Sequence, residues 1–98
     1  MSFEDFEIEH HRLRILQLLE EDVDYSKNEH IIQGGLHAYG YGISAARLRT
    51  ELHWLQEQGL VTIEEIGGVL VVKLTMRGED VALGRARVPG VARPRPGG

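Results

Sequence analysis

The stretch that decides the fold is GISAARLRTELHWLQEQGLVTIEE, residues 42–65. Ser44 is a strong helix N-cap, because its side chain can accept a hydrogen bond from an amide of the first turn. Ile43 before it and Leu48 after it are placed to form a hydrophobic staple. The leucines that follow recur at the spacing of one helix face, at positions Leu48, Leu52 and Leu55. The stretch therefore predicts a helix over residues 44–58 that leads into a strand.

The next segment, LVTIEEIGGVLVVKL, predicts a β-hairpin around Gly67 and Gly68. A two-residue turn favours positive backbone φ angles, which glycine adopts at little cost. If Ile66 faces Val69, the register of the whole hairpin follows. One side then carries the pairs Val61 with Leu74, Ile63 with Val72 and Glu65 with Leu70, and the other carries Thr62 with Lys73 and Glu64 with Val71. The first side is apolar except at Glu65, so we expect it to meet the helices.

Three further helices are predicted around this unit. Apolar residues spaced by three and four predict a first helix over residues 4–21. Ser26 and Glu29 can form a capping box for a second helix over residues 27–38, in which Gly34 and Gly35 indicate weakness or close approach by another element. Thr75 caps a short helix that ends near Leu83. The apolar residues that define the first helix are Phe3, Phe6, Leu13, Leu16 and Leu19, with Ile8 and Ile15 alongside, and the residues expected to point inward from the second helix are Ile31, Ile32 and Leu36.

Charge divides the chain into an acidic body and a basic end. Residues 1–80 carry all fifteen Asp and Glu but seven Lys and Arg, a net charge of −8, whereas residues 81–98 carry four arginines and no acid. The last fourteen residues also hold all three prolines and lack a periodic apolar face. We therefore expect one domain over residues 1–84 and a flexible basic tail over residues 85–98. An acidic body repels nucleic acid at long range, so any such binding needs a local basic face.

Several classes of protein are not expected. There is no cysteine, the N-terminus is acidic where a signal peptide is basic, and no apolar run approaches the roughly 20 residues that span a bilayer. We therefore expect a soluble, cytoplasmic protein with no membrane partner. Five histidines are present, but no pair of them has metal-ligand spacing, and no nucleophile elbow or phosphate loop occurs. We expect neither an enzyme nor a bound metal or cofactor.

The order helix, helix, turn, helix, hairpin, helix is that of a winged helix-turn-helix domain. The segment ISAARLRTELHWLQEQGLVTIEE resembles the third helix and first wing strand of ArsR-like and MarR-like bacterial repressors. LTMRGEDVAL is similar to the Leu-Thr-x-x-Gly segment that follows the second wing strand in such proteins. The resemblance covers roughly residues 10–84. It implies an α+β fold with a three-helix core, a two-stranded wing and a short C-terminal helix, and a transcriptional regulator that binds double-stranded DNA.

The resemblance also implies which positions face DNA. With the leucines inward, Arg49, Thr50 and His53 project away from the core, and Arg47 lies in the first turn. Arginine can bond guanine, threonine can meet a base edge, and alanine allows close approach of the backbone. The alternative is an exposed face with ordinary solvated charges, in which Glu51 and Glu57 balance the arginines. The expected DNA-binding residues are Ser44, Ala45, Ala46, Arg47, Arg49, Thr50, His53, Lys73 and Arg77.

The tip of the wing favours a different use of the same fold. The wing tip carries Glu64 and Glu65 beside Ile66, where a DNA-binding wing usually presents basic residues, so a protein partner is the alternative to DNA. Phe3 and Phe6 are either additional core or the apolar part of a dimer seam, and a homodimer suits a regulator that binds two half-sites. The four tail arginines are either a nucleic-acid arm or a solubilising terminus.

Overall fold

The computed structural model describes residues 2–95, which form an α+β protein of four helices and a three-stranded antiparallel sheet. The helices are α1 (Phe3–Glu20), α2 (Glu29–Ala38), α3 (Ala45–Glu57) and α4 (Met76–Ala82). The strands are β1 (Ser26–Asn28), β2 (Val61–Ile66) and β3 (Val69–Leu74), and β3 lies between β1 and β2. None of the helices in residues 2–95 is long and apolar enough to cross a membrane.

The predictions for α3 and the hairpin are confirmed. The Ser44 side chain accepts from the amide of Arg47 at 3.1 Å, and all three expected leucines are buried. The pairing of β2 with β3 has the expected register at every position, from Val61 with Leu74 to Ile66 with Val69. Gly67 and Gly68 both have positive φ, at 57° and 80°, as a tight hairpin turn requires. Local signals were sufficient here because cap, leucine spacing and turn all indicate one arrangement.

The beginning of α2 differs from the prediction. Ser26 does not cap this helix, because it lies in β1, where residues 26–28 pair with Lys73, Val72 and Val71 of β3. The N-cap is Asn28, whose side-chain oxygen accepts from the amide of Ile31 at 3.0 Å. Ile31 is 56% exposed, so its predicted burial is wrong, whereas Ile32 and Leu36 of the same helix are buried as predicted. A pairing between distant residues has overridden the local capping box.

The core lies between the helices and one face of the sheet. It is built by aliphatic side chains of α1, α2 and α3, with β2, β3 and α4 closing it. Gly35 of α2 faces Leu18 of α1 and allows the two helices to pack closely. Close approach by another element was one of the two explanations that the sequence offered for the glycines of α2. Phe3 and Phe6 do not belong to the core, since they remain 75% and 46% exposed.

The C-terminal segment packs against the body as far as it is described. Val88 and Val91 are buried, and the Ala92 amide donates to the carbonyl of Glu9 in α1 at 3.1 Å. Two valines without periodicity thus fill a site on the helices, and the flexibility expected from residue 85 stays a prediction. The last three residues of the expected arm, 96–98, lie outside the described residues.

A close approach of backbones fixes where α4 begins. The Thr75 side chain caps α4 by accepting from the amide of Gly78, and the Thr75 amide donates to the carbonyl of Leu60 at 3.1 Å. Gly78 lies directly against that same carbonyl oxygen, which leaves no room for a Cβ atom. The glycine thus allows the first turn of α4 to rest on the junction between α3 and β2.

We expect Gly78→Ala to lower the free energy of unfolding by about 1 to 3 kcal/mol, because the added methyl group must displace backbone. Gly34→Ala is the matched control, since a Cβ atom there meets nothing within 4 Å. That replacement should leave stability unchanged or raise it by up to about 1 kcal/mol through helix propensity. Urea unfolding of the two variants checks the contrast. Equal stability of the two variants would mean that α4 does not rest on this carbonyl.

Candidate functional site

The candidate site is the outer face of α3, the helix that the sequence predicts to contact DNA. With Leu48, Leu52 and Leu55 buried, the residues opposite them form an exposed stripe along the helix. We call it the outer stripe; its members are Ala46, Thr50, His53 and Glu57. Ser44 and Ala45 are exposed at its N-terminal end. Together with the four members of the stripe they give six solvent-exposed residues on this side of the helix.

The polar members of the outer stripe are held in defined orientations. The Thr50 hydroxyl donates to the Ala46 carbonyl at 3.2 Å, which leaves its oxygen free to accept a further bond. Nδ1 of His53 lies 2.8 Å from the Arg49 carbonyl. Because a carbonyl only accepts, Nδ1 carries the proton, and Nε2 is the nitrogen left for a partner in solvent. Both side chains therefore present hydrogen-bonding groups outward from fixed positions.

Arg47 lies on one flank of the outer stripe and takes part in a buried charge cluster. Its Nε atom donates to Glu51 Oε2 at 3.0 Å, while Nε of Arg12 in α1 donates to Glu51 Oε1 at 2.6 Å. Glu51 is 2% exposed, so its charge depends on these two guanidinium groups. Arg12 also lies over the ring of Trp54, with Cζ 3.7 Å from the ring centroid, and donates to the carbonyl of Gly90 at 3.0 Å.

Arg49 lies on the opposite flank and is bound to a buried carboxylate. Its Nε and Nη2 atoms donate to the two oxygens of Glu29, each at 2.7 Å, and Nη2 also donates to the carbonyl of Gly68 at 2.9 Å. The Glu29 carboxylate, 3% exposed, further accepts from the Leu70 amide at 2.7 Å. This Glu29–Arg49 pair therefore joins the start of α2, the middle of α3 and the tip of the hairpin.

The surroundings of Glu29 alter its acidity. The two hydrogen bonds from Arg49 lower the pKa of this carboxyl from 4.5 to about 2, against the opposing effect of burial, and the Leu70 amide adds to the lowering. The same hydrogen bonds to Glu29 raise the pKa of the Arg49 guanidinium. The pair is thus fully ionised near neutral pH, and its net charge is zero.

The remaining residues of the expected site lie elsewhere. Lys73 is exposed on the sheet face that points away from the helices and pairs with Thr62, close to the C-terminal end of α3. Arg77 is exposed at that same end, where its Nε donates to the carbonyl of Gln58 at 3.3 Å. The helix is 13 residues long, or about 20 Å, so these two cations are remote from the serine cap. The structure brings together residues 44–53 and separates Lys73 and Arg77 from them.

Two acidic residues of the site were missed by the sequence reasoning. Glu51 was named only in the alternative to DNA contact, as a solvated charge that balances the arginines; it does pair with Arg47, but it is buried. Its position between Leu48, Leu52 and Leu55 places it beside the buried face, which is a signal that could have identified its burial. Glu29 was expected to close a capping box, and no local signal indicates a partner 20 residues away. Arg47 and Arg49 lie at partly exposed positions, and each is also bonded to one of these carboxylates, which the sequence did not predict.

Comparison with known proteins finds relatives of nearly full length. No protein-family model matches the chain. It is 51% identical over 92 residues to the uncharacterized protein gp26 of Escherichia phage Mu, a match that covers 94% of this chain and 95% of that protein. It is 45% identical over 78 residues to an uncharacterized protein of Haemophilus influenzae, covering 79% of this chain and 76% of that protein.

We expect Arg49→Ala to destabilise the protein more than Arg47→Ala. The first change leaves the Glu29 carboxylate buried with one amide donor and should lower the free energy of unfolding by about 2 to 3 kcal/mol, below the usual cost for a buried pair because Arg49 is partly exposed. The second leaves Glu51 paired with Arg12 and should cost less than about 1 kcal/mol. Chemical denaturation measures both, and a larger loss for Arg47→Ala would contradict the roles given to the two pairs.

The lowered pKa of Glu29 predicts a specific dependence of stability on pH. Between about pH 4.5 and pH 2 the unfolded chain binds a proton at this carboxyl that the folded protein does not. The free energy of unfolding should therefore fall as the pH is lowered through this window. Glu29→Gln should be less stable at neutral pH and should lose less stability on acidification, whereas Glu64→Gln, which removes an exposed carboxylate of β2, is the control. Parallel curves for Glu29→Gln and the wild type would contradict the assignment.

Proposed function

The chain belongs to the same family as gp26 of Escherichia phage Mu, and we propose that it is a winged helix-turn-helix regulator that binds double-stranded DNA as a homodimer. We propose that the outer stripe of α3 contacts the bases, with the serine-capped end of the helix in the major groove. The observation that carries the proposal is that this stripe is exposed and acid-free from Ser44 to His53, while the opposite face of the helix is fully buried.

The order and pairing of the elements support the winged-helix form. A short β1 precedes α2, and α3 follows after a turn. β2 and β3 form a hairpin, and β1 pairs with the free edge of β3. The side-chain amide of Gln33 in α2 donates to the carbonyl of Ile43 at 3.0 Å, which fixes the turn that presents α3. A helix held in this way by a second helix and a hairpin is the arrangement that places side chains into the major groove.

The chemistry of the outer stripe suits base edges. Thr50 can exchange a hydrogen bond with a base or meet a thymine methyl group, and Nε2 of His53 offers a further bond. Ala45 and Ala46 allow the groove wall to come close, and the first amides of a helix have no intrahelical acceptor, so they can bind a phosphate oxygen. The proposed contacts are thus made by the first three turns of α3.

The two arginines that flank the stripe have different roles in this proposal. Arg49 uses Nε and Nη2 for Glu29 and Gly68, so it sets the angle between α3 and the hairpin and is a positioning residue. Arg47 uses its Nε for Glu51 and keeps its outer nitrogens for solvent, at a side-chain exposure of 45%. Arg47 is therefore the cation of the first turn that can meet a phosphate.

A second function, binding of a protein partner through the hairpin, is favoured by one observation. The exposed tip carries Glu64 and Glu65 next to Ile66, which is 56% exposed. Two acids beside an apolar side chain oppose contact with phosphate and suit a basic, apolar protein surface. DNA binding through α3 leaves this tip free, so the two functions use different surfaces.

We expect Thr50→Ala combined with His53→Ala to weaken specific DNA binding by at least about tenfold, since each lost base contact costs roughly 1 to 3 kcal/mol. Both side chains are exposed, so thermal stability should stay near that of the wild type. Glu57→Ala, on the same stripe but nearer its C-terminal end, is the control and should leave affinity unchanged or raise it by removing an acid. A gel-shift titration with DNA that flanks the gene checks all three proteins.

The dependence of affinity on salt separates DNA binding from binding of a protein partner. If Arg47, Lys73 and Arg77 of each subunit meet phosphates, a dimer neutralises at most six, and log affinity should fall against log salt with a slope no steeper than about −5. An affinity for DNA that does not change with salt would contradict phosphate contacts. Absence of any shift at low salt, with the protein folded, would favour the hairpin and a protein partner.

A further inference from the structure

One face of α1 is exposed at Phe3 and Phe6 and becomes partly buried from His10 to Gln17. Every third or fourth residue from the N-terminal end lies on it, opposite the buried leucines. We call it the α1 stripe; its members are Phe3, Phe6, His10, Arg14 and Gln17. Phe3 and Phe6 stack with ring centroids 6.1 Å apart, and His10 lies 4.1 Å from the ring of Phe6. The N-terminal part of the stripe therefore presents two ordered aromatic rings to solvent.

A groove runs beside the α1 stripe and extends its apolar area. It has a volume of about 680 Å³ and lies between α1 and two walls, one formed by Tyr39 and Tyr41 after α2 and the other by Leu83 and Pro94. Four of the nine large hydrophobic residues that are exposed in the described chain border this groove or the cavity next to it: Phe3, Phe6, Tyr39 and Leu83. The concentration of these residues at one place indicates a docking surface rather than scattered exposure.

Charge is distributed unequally along the same surface. The cavity at the N-terminal end of α1 is lined by Glu7 and by no Lys or Arg. The other end of the groove carries Arg14, Arg93 and Arg95, with Glu20 and Glu21 beside them. Arg14 is held over the ring of Tyr39, with Cζ 4.2 Å from the centroid, so its charge stays at the groove. The acidic aromatic end and the basic end are complementary to each other.

From this self-complementarity we infer that the α1 stripe and its groove bind a second copy of this chain, with the two α1 helices antiparallel about a two-fold axis near His10. This inference rests on the homodimer of the proposed function but not on its DNA contacts. A two-fold axis places the acidic aromatic end of each helix against the basic end of the other, twice over. It also covers Phe3 and Phe6 with the partner helix.

The helical spacing identifies one ion pair of this interface. Around a two-fold axis at His10, residue n of one helix faces the partner's residue near 20 − n, so position 7 lies near the partner's position 13 or 14. Glu7 and Arg14 lie on the same flank of the stripe, and like flanks meet in an antiparallel pair. Glu7 is therefore placed opposite the partner's Arg14. Within one chain the two are seven residues, or about 10 Å, apart along the helix axis, and Arg14 bonds Gln17 and Glu21 instead.

A charge-exchange experiment on the full chain tests this interface without DNA. Sedimentation equilibrium should give the wild type a mass that rises with concentration toward twice 11.0 kDa. Glu7→Arg alone and Arg14→Glu alone each set like charges against one another at both ends of the pair, so each should raise the dimer Kd by about tenfold or more. An equimolar mixture of the two variants restores both opposite-charge contacts and should form a mixed dimer with near wild-type affinity.

Controls separate the interface from effects on folding. Glu64→Arg makes the same change of charge on the exposed face of β2 and should leave the dimer Kd unchanged. Phe3→Ala removes an exposed ring and should weaken the dimer while circular dichroism stays the same. If Arg14→Glu fails to fold, the mixing experiment is omitted and the dimer Kd is measured for Glu7→Arg and Phe3→Ala separately. Both changes are at exposed positions, and each must still weaken the dimer.

The outcomes that overturn the inference are distinct from those that overturn DNA binding. A wild type that is monomeric at every concentration, single variants that dimerise normally, or a mixture no tighter than its components would each exclude this interface. A monomer that still shifts DNA would exclude this interface and leave the α3 proposal intact. A dimer that obeys the charge exchange but binds no DNA would support the interface and remove the proposed DNA contacts.

Discussion

The arrangement of α3 relative to the hairpin depends on the Glu29–Arg49 pair. A carboxylate with almost no contact with solvent is costly unless its oxygens are hydrogen-bonded, and here two guanidinium nitrogens and one backbone amide supply the bonds. Since these donors come from α3 and from the first residues of β3, satisfying one carboxylate fixes three elements at once. The leucines hold α3 to the core, but a leucine stripe tolerates rotation that a bidentate ion pair does not.

The second buried acid gives the molecule a matching restraint on the other flank. Glu51 ties α3 to Arg12 of α1, and Arg12 in turn holds Gly90 of the C-terminal segment. The outer stripe is therefore bordered on both sides by arginines whose charges are offset by carboxylates beneath them. This makes the local field at α3 weaker than its sequence indicates, so the binding proposed for the outer stripe would rely on shape and hydrogen bonds more than on net charge.

Sequence reasoning identified the parts of the fold that local chemistry determines. The cap of α3, its leucine face and the register of the hairpin were all predicted, because each follows from residues within a few positions of one another. The start of α2 was not, since Ser26 pairs with Lys73 and no local pattern shows this contact. The lack of a local signal also explains the site: Thr50 and His53 were correctly expected to be exposed, but the buried acids that bind Arg47 and Arg49 were not predicted. Their partners are buried acids, one of which is 20 residues distant in sequence.

The seating of the C-terminal segment on Trp54 gives the protein a built-in optical reporter. A Cβ atom at Gly90 would meet the far edge of the indole, and the Arg12 guanidinium covers its face, so the ring lies between the turn at Gly90 and a cation. Trp54 is the one tryptophan of the chain. Its emission therefore senses the residues around Gly90 directly, and detachment of this segment changes the fluorescence even where the helices and sheet remain folded.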